Sequence, residues 1–155
     1  CESFLEIFIR AIDPLRIVGR LGPVLFQLPP TLKFDPELLK SFNALLPDDV
    51  RFAFEFRHSS WLDAPIYDIL TSRGICLCLA ESDKLVVPHV FTAPFVYFRL
   101  RKPDYSPEET AEISMRVSAL AAEGKDVYLY FKHEDSPEGA LNAELVLRQL
   151  QSHES

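Results

Sequence analysis

No apolar run in the 155 residues approaches the roughly 18 that a membrane-spanning helix needs, so no transmembrane segment is expected. The opening stretch carries Glu2 and Glu6 and no basic n-region, which excludes a secretory signal peptide there. Cysteine is scarce. Cys1, Cys76 and Cys78 form no metal spacing, and the last two lie in the apolar run Ile75–Ala80, which reads as buried thiols in a reducing compartment. A cytoplasmic location is the expectation. GxGxxG, Walker, GxSxG and HExxH signatures are all missing. The only methionine is Met115 and the chain starts at Cys1, so a fragment or processed product of a longer chain is expected.

Positive charge is also in short supply. Lys and Arg number 16 against 23 Asp and Glu, for a net charge of −7 and a pI near 5.1. That argues against a generic nucleic-acid binder or a protein of anionic membranes, though a local basic patch remains compatible. Hydrophobic residues make up 48% and aromatics 12%, ample for a core, and a charged fraction of 25% is average. One domain over residues 1–155 is expected, without disorder.

Punctuation along the chain sets the elements. Phe4, Phe8 and Ile12 have helical spacing over 2–12. Asp13-Pro14 reads as an N-cap and first-turn proline restarting a short helix to about Leu21, stopped by Gly22-Pro23. Val24–Leu28 is a buried strand between prolines. Asp35-Pro36 starts a helix to about Leu46, strand 51–57 follows, and a helix runs from Trp61 to Ser72. Strand 75–80, an irregular stretch 84–94 and strand 95–101 come next. Ser106-Pro107-Glu108-Glu109 is a capping box for a helix ending at Gly124. Val127–Lys132 is the last strand, and Ser136-Pro137 caps the final helix. Strands alternating with helices imply a parallel sheet with helical cover, here an α/β, partial TIM-barrel-like fold. It would hold five strand–helix units of an eight-stranded barrel, with the fourth connection mostly loop.

The stretch Arg51-Phe-Ala-Phe-Glu-Phe-Arg-His-Ser-Ser-Trp61 carries the strongest site signal. Its phenylalanines fall on one face, and its charges gather at the C-terminal end, where ligands of α/β folds bind. If the bulkier apolar face of each strand meets the helices, the interior receives Leu25 and Gln27, then Ala53, Glu55 and Arg57. Cys76, Cys78 and Ala80 follow, then Tyr97, Arg99 and Arg101, and finally Tyr128, Tyr130 and Lys132. Glu55 would then face Arg57, Arg99, Arg101 and Lys132 across one barrel mouth. Either these groups pair as an internal ion layer, or the excess positive charge awaits a phosphate, a carboxylate or a nucleic-acid backbone.

Secondary candidates surround that cluster. His58 follows the strand directly and is either a site residue or a loop hydrogen-bonder. Trp61 is either a packing anchor or a stacking platform. Glu81 and Asp83 could supply a second rim carboxylate for acid–base work or a metal. His133-Glu134-Asp135 looks metal-like, but neighbours at a strand end do not converge readily on one ion, so no metal ligand is assigned. Asn142 lies near the start of the last helix, where free N–H groups favour anions and where simple capping is the alternative.

Leu21-Gly-Pro-Val-Leu-Phe-Gln-Leu-Pro-Pro30, Phe52–His58 with Trp61, Tyr97-Phe-Arg-Leu-Arg101, and Asp126–Lys132 with Gly139-Ala140 and Asn142-Ala143 together resemble the YecE-like family, domain of unknown function seventy-two. The resemblance covers nearly the whole chain. It implies a TIM-barrel-like protein of roughly 240 or more residues, of which this sequence would be the C-terminal part. The absent N-terminal part of the same barrel would then be a partner, and exposed sheet edges would favour aggregation. The sequence departs at Arg101-Lys102, where many members have histidine–glycine, and at Lys132-His133, where many have two asparagines. Roles built on those residues are not carried over. The family supplies no established activity, and the cofactor stays unknown.

Two functional expectations result. The first is an enzyme acting on an anionic substrate, phosphate-bearing ones included, with Glu55 and His58 catalytic. Gln27, Arg57, Trp61, Asp83, Arg99, Arg101, Tyr130, Lys132 and Asn142 would line the binding site. The second is a non-catalytic binding module for nucleic acid or an anionic metabolite. A purely structural ion layer is the third account of the same residues.

Overall fold

The computed structural model describes residues 2–131 and 137–153. Five parallel strands lie in chain order: β1 Val24–Gln27, β2 Phe52–Glu55, β3 Cys76–Ala80, β4 Phe95–Leu100 and β5 Asp126–Phe131. Five helices accompany them: α1 Glu2–Ile17, α2 Pro36–Ala44, α3 Ala64–Thr71, α4 Pro107–Ala122 and α5 Glu138–His153. The sheet is curled into a half-barrel, with β1 and β5 each paired on one side among the described residues. Its curl is tight at the N-terminal end of the strands. There Arg51, just before β2, reaches across to Asp126 at 2.6 Å and to the Tyr128 hydroxyl at 2.9 Å. The basic group at the start of β2 is thereby paired far from the mouth.

Caps account for most helix starts. Asp35 accepts the N–H groups of Glu37 and Leu38, and Ser106 and Glu109 form the reciprocal capping box of α4. Two boundaries differ from expectation. Residues 2–17 form one helix with Pro14 inside it, not a helix and a restart. Proline removes one donor, yet the Asp13–Arg16 ion pair at 2.9 Å bridges that turn, and the helix ends at Ile17, two residues before Gly19, whose φ of +65° suits glycine. The segment from Trp61 likewise begins as a short 3-10 helix, Ser59–Trp61, and α3 starts only after Asp63, which caps Ala64. The cap expected at Ser136 lies outside the described residues. The irregular connection holds: no helix forms between β3 and β4.

Alternation along each strand sorts two cores. The outer one joins Phe52, Phe54, Phe56, Leu77, Leu79, Val96 and Phe98 to the helices. Phe26 is its hub, with ring centroids of Phe42, Phe52 and Phe54 within 5.7 Å. The inner core sets small side chains on β2 and β3 (Ala53, Cys76, Cys78, Ala80) against large ones on β4 and β5 (Phe95, Tyr97, Tyr128). Small-against-large filling is what a tightly curled interior requires. The sequence-based assignment of strand faces therefore matches the two clusters.

Burial pushes the Cys76 thiol up to about 12, and burial followed by the nearby Glu55 charge raises Cys78 as well. Both thiols stay protonated when folded, so stability is full below the unfolded value of 9.0 and declines as pH rises towards 12. Neither cysteine is expected to react with a disulfide reagent at pH 8 until the chain unfolds. Rapid labelling at Cys76 or Cys78 in the native protein would contradict this.

Candidate functional site at the barrel mouth

Glu55 ends β2 and is 2% exposed. A carboxylate is tolerated there because three donors converge on it. The Gln27 amide at the end of β1 donates to Oε1 at 2.8 Å, and Arg101 Nη2 donates to the same oxygen at 2.8 Å. Arg99 Nη1 donates to Oε2. Register delivers this directly, since Gln27 pairs with Glu55 in the β1–β2 ladder. Arg99 and Arg101 follow one another on the interior face of β4 and just beyond it.

Glu81 supplies a second carboxylate. The β3–β4 ladder continues through its N–H, which donates to the Arg99 carbonyl at 2.9 Å. Its Oε2 accepts the Arg101 N–H at 2.7 Å and the Tyr105 hydroxyl. Burial and that bond to Glu81 hold the Tyr105 phenol well above its ordinary range, so it remains a donor. Glu81 Oε1 has no hydrogen-bond partner among the described residues. Tyr105 is a residue the sequence did not flag. It reaches back from the start of α4 to the end of β3, and no spacing rule links those positions.

A cavity of about 130 Å³ opens here, walled by Glu55, Arg57, Glu81, Lys84 and Arg101 among others. Arg57 is exposed and makes no ion pair among the described residues. Arg101, although ion-paired at Nη2, leaves its buried Nε–H without a hydrogen-bond partner. A larger chamber of about 610 Å³ adjoins the cavity and shares Arg57, Glu81, Lys84 and Arg101 with it. Asp83 lines that chamber only.

The remaining candidates are placed elsewhere. His58 caps the short 3-10 helix, its Nδ1 accepting the Ser60 N–H at 3.1 Å, and it lines neither cavity. Trp61 is 1% exposed, stacked on Phe56 at 4.8 Å and met edge-on by Phe34, with its indole N–H on the Leu32 carbonyl. No ring face is left for a ligand, so the stacking-platform expectation for Trp61 is corrected to a packing anchor. Asn142 is buried on α5, which packs on α4 and β5, and lines neither cavity. Tyr130 pairs with Arg99 in the ladder and stacks on Tyr97 at 4.9 Å beside the mouth. Lys132 and His133–Asp135 lie outside the described residues. Among those described, no three His, Cys, Asp or Glu side chains gather closely enough to hold a metal ion. No described helix is long and apolar enough to cross a membrane.

Removing the charge of Glu55 leaves two largely buried guanidiniums facing a neutral group, a change expected to cost about 3 kcal/mol. Glu55→Gln should therefore lower the urea midpoint strongly, whereas exposed Arg57→Gln should shift stability by less than about 0.5 kcal/mol. Equal, small effects in urea unfolding would contradict the arrangement.

The sequence matches the family described as "Protein of unknown function DUF72" over residues 1–155. Solved structures share the fold. A DUF72 family protein from Thermotoga maritima aligns with 27% identity and a TM-score of 0.82, over 99% of this chain and 66% of that one. A DUF72 family protein from Enterococcus faecalis aligns with 21% identity and a TM-score of 0.78, over 93% of this chain and 66% of that one. The chain thus spans 66% of the length of the structures it resembles. No curated protein matches it.

Proposed function

The chain belongs to the DUF72 family, whose description names no activity, and from the chemistry of the mouth we propose that it is an enzyme acting on a phosphate-bearing small molecule bound at the C-terminal ends of the strands. The observation that carries this reading is a surplus of unanswered donors in one small cavity. Arg57 makes no ion pair among the described residues, and the Arg101 Nε–H is buried without an acceptor, while the single charge of Glu55 is shared between Arg99 and Arg101. Buried donors are nearly always satisfied, and a phosphate oxygen is a strong acceptor for guanidinium groups.

In this reading Glu55 is a positioning residue. Oε1 accepts two hydrogen bonds and Oε2 one, and the side chain is 3% exposed, so it fixes the two arginines and shows little surface to a ligand. Glu81 is the group with an unengaged oxygen, anchored through its other oxygen by Tyr105 and the Arg101 N–H. Proton transfer is therefore assigned to Glu81, where the sequence alone pointed to Glu55. General acid–base chemistry needs a carboxylate that is oriented yet reachable, and Glu81 meets both conditions.

The engagement of Glu55 also favours a second reading, a non-catalytic binding module for an anionic metabolite or nucleic acid. Turnover separates the two: for an enzyme, Glu81→Gln abolishes hydrolysis or transfer of a phosphate ester while phosphate affinity persists. For a module, neither Glu81→Gln nor Glu55→Gln does more than change affinity.

Inorganic phosphate is expected to bind the intact protein in calorimetric titration, more weakly as salt rises. Arg57→Ala should weaken it by at least about tenfold, the loss of roughly one charge-assisted hydrogen bond, with an unchanged melting temperature. Phosphate binding that ignores Arg57, or no binding at all, contradicts the proposal.

A further inference from the structure

A strand–helix barrel covers each parallel crossover with a helix, and here one is missing. The segment between β3 and β4, residues 81–94, is fourteen residues of loop. It is held at both ends: the Glu81 N–H donates to the Arg99 carbonyl at 2.9 Å, and the Thr92 hydroxyl donates to the Ile75 carbonyl at 2.6 Å and accepts the Leu77 N–H at 2.9 Å. Between those anchors Val87 and Val90 pack against the outer core. Beside this loop lies the chamber of about 610 Å³. Its floor is the outer, helix-facing side of the sheet, Leu79, Phe98 and Leu100, with Val86 and Val87 from the loop. Its rim carries both signs, Glu81 and Asp83 beside Lys84 and Arg116 of α4, while burial followed by Arg116 lowers the pKa of His89; Arg116 makes no ion pair among the described residues. Its near end runs over the strand tips into the mouth at Arg57 and Arg101.

We propose that this lateral chamber, beside the helix-free crossover, is the second half of the ligand site and takes the apolar, ring-sized body of a substrate whose anionic group sits at Arg57 and Arg101. The ligand class is thus an amphipathic anion, an aryl-bearing phosphate ester rather than a small polar phosphate. The inference rests on the anion-binding reading of the mouth and adds its substrate class. Three features support it. The volume falls inside the roughly 300–1,000 Å³ of small-molecule sites. The walls combine aliphatic side chains, led by the 88% exposed Val86, with a few charged groups, over a floor of Leu79, Phe98 and Leu100 that is itself largely buried. Finally, the two spaces share side chains, so one molecule spans both.

The test compares inorganic phosphate with naphthyl phosphate on the intact protein, by calorimetry and by spectra of methyl-labelled leucine and valine. Burial of the aromatic body is expected to make naphthyl phosphate bind at least about tenfold more tightly than phosphate. Its heat-capacity change should be more negative, and the methyl signals of Leu79, Val87 and Leu100 should shift only with the aryl ester. Equal affinities for the two ligands, with Arg57→Ala still weakening both, overturn the chamber and leave the mouth standing. Tighter aryl binding without shifts at those three methyl groups also overturns it, because the body then lodges elsewhere. If neither ligand binds, the reading of the mouth falls and the chamber with it.

Discussion

The mouth of this half-barrel depends on one buried carboxylate. Glu55 sits where the sheet has too little room to hydrate it, and it persists because Gln27, Arg99 and Arg101 donate to it from strands on either side. The same contacts set the chemistry. Two guanidiniums that would repel each other at a strand end are held side by side, and their charge is partly spent. Arg57 and the Nε–H of Arg101 are what is left for a ligand. A buried ion group of this kind adds little net stability compared with an apolar replacement, but it fixes geometry that an apolar replacement could not. We take that fixation as its purpose here.

Around this centre the fold divides its labour. Phenylalanines on the outer faces of β1 and β2 build a ring-rich core under the helices, and they make the position of Glu55 rigid. Small residues on β2 and β3 leave room inside for the rings of β4 and β5. Glu81 and Tyr105 then close the rim from the next strand and the next helix. The helix-free crossover after β3 lines a side chamber at this rim. Charge is thus local: a protein of net charge −7 gathers Arg57, Arg99 and Arg101 at one end of its sheet.

Much of this was legible in the sequence. Strand faces could be read from alternation because β2 to β4 carry bulky apolar residues on one side and small or polar ones on the other. Glu55, Arg99 and Arg101 were grouped correctly, since parallel strands in register bring equivalent ends together. The loop in place of a helix between residues 81 and 94 was visible from Pro88 and Pro94. Other parts were not legible. Whether a ring such as Trp61 is buried depends on what packs against both its faces, here Phe56 and Phe34 from different elements. His58 looked chemical by position, yet a local bond to Ser60 uses its nitrogen. Pro14 resembled a helix start because a cap and a mid-helix proline share the same dipeptide, and only the continued turn on both sides separates them. Tyr105 reaches Glu81 across tertiary space, which periodicity does not encode.

The central claim is that Glu55 and Arg99 are coupled strongly enough to fix the mouth. A double-mutant cycle with Glu55→Gln and Arg99→Met, read by urea unfolding, measures that coupling directly. An interaction energy of about 1.5 kcal/mol or more is expected, since each single change strands a buried partner. Additive effects, within about 0.5 kcal/mol, would contradict it.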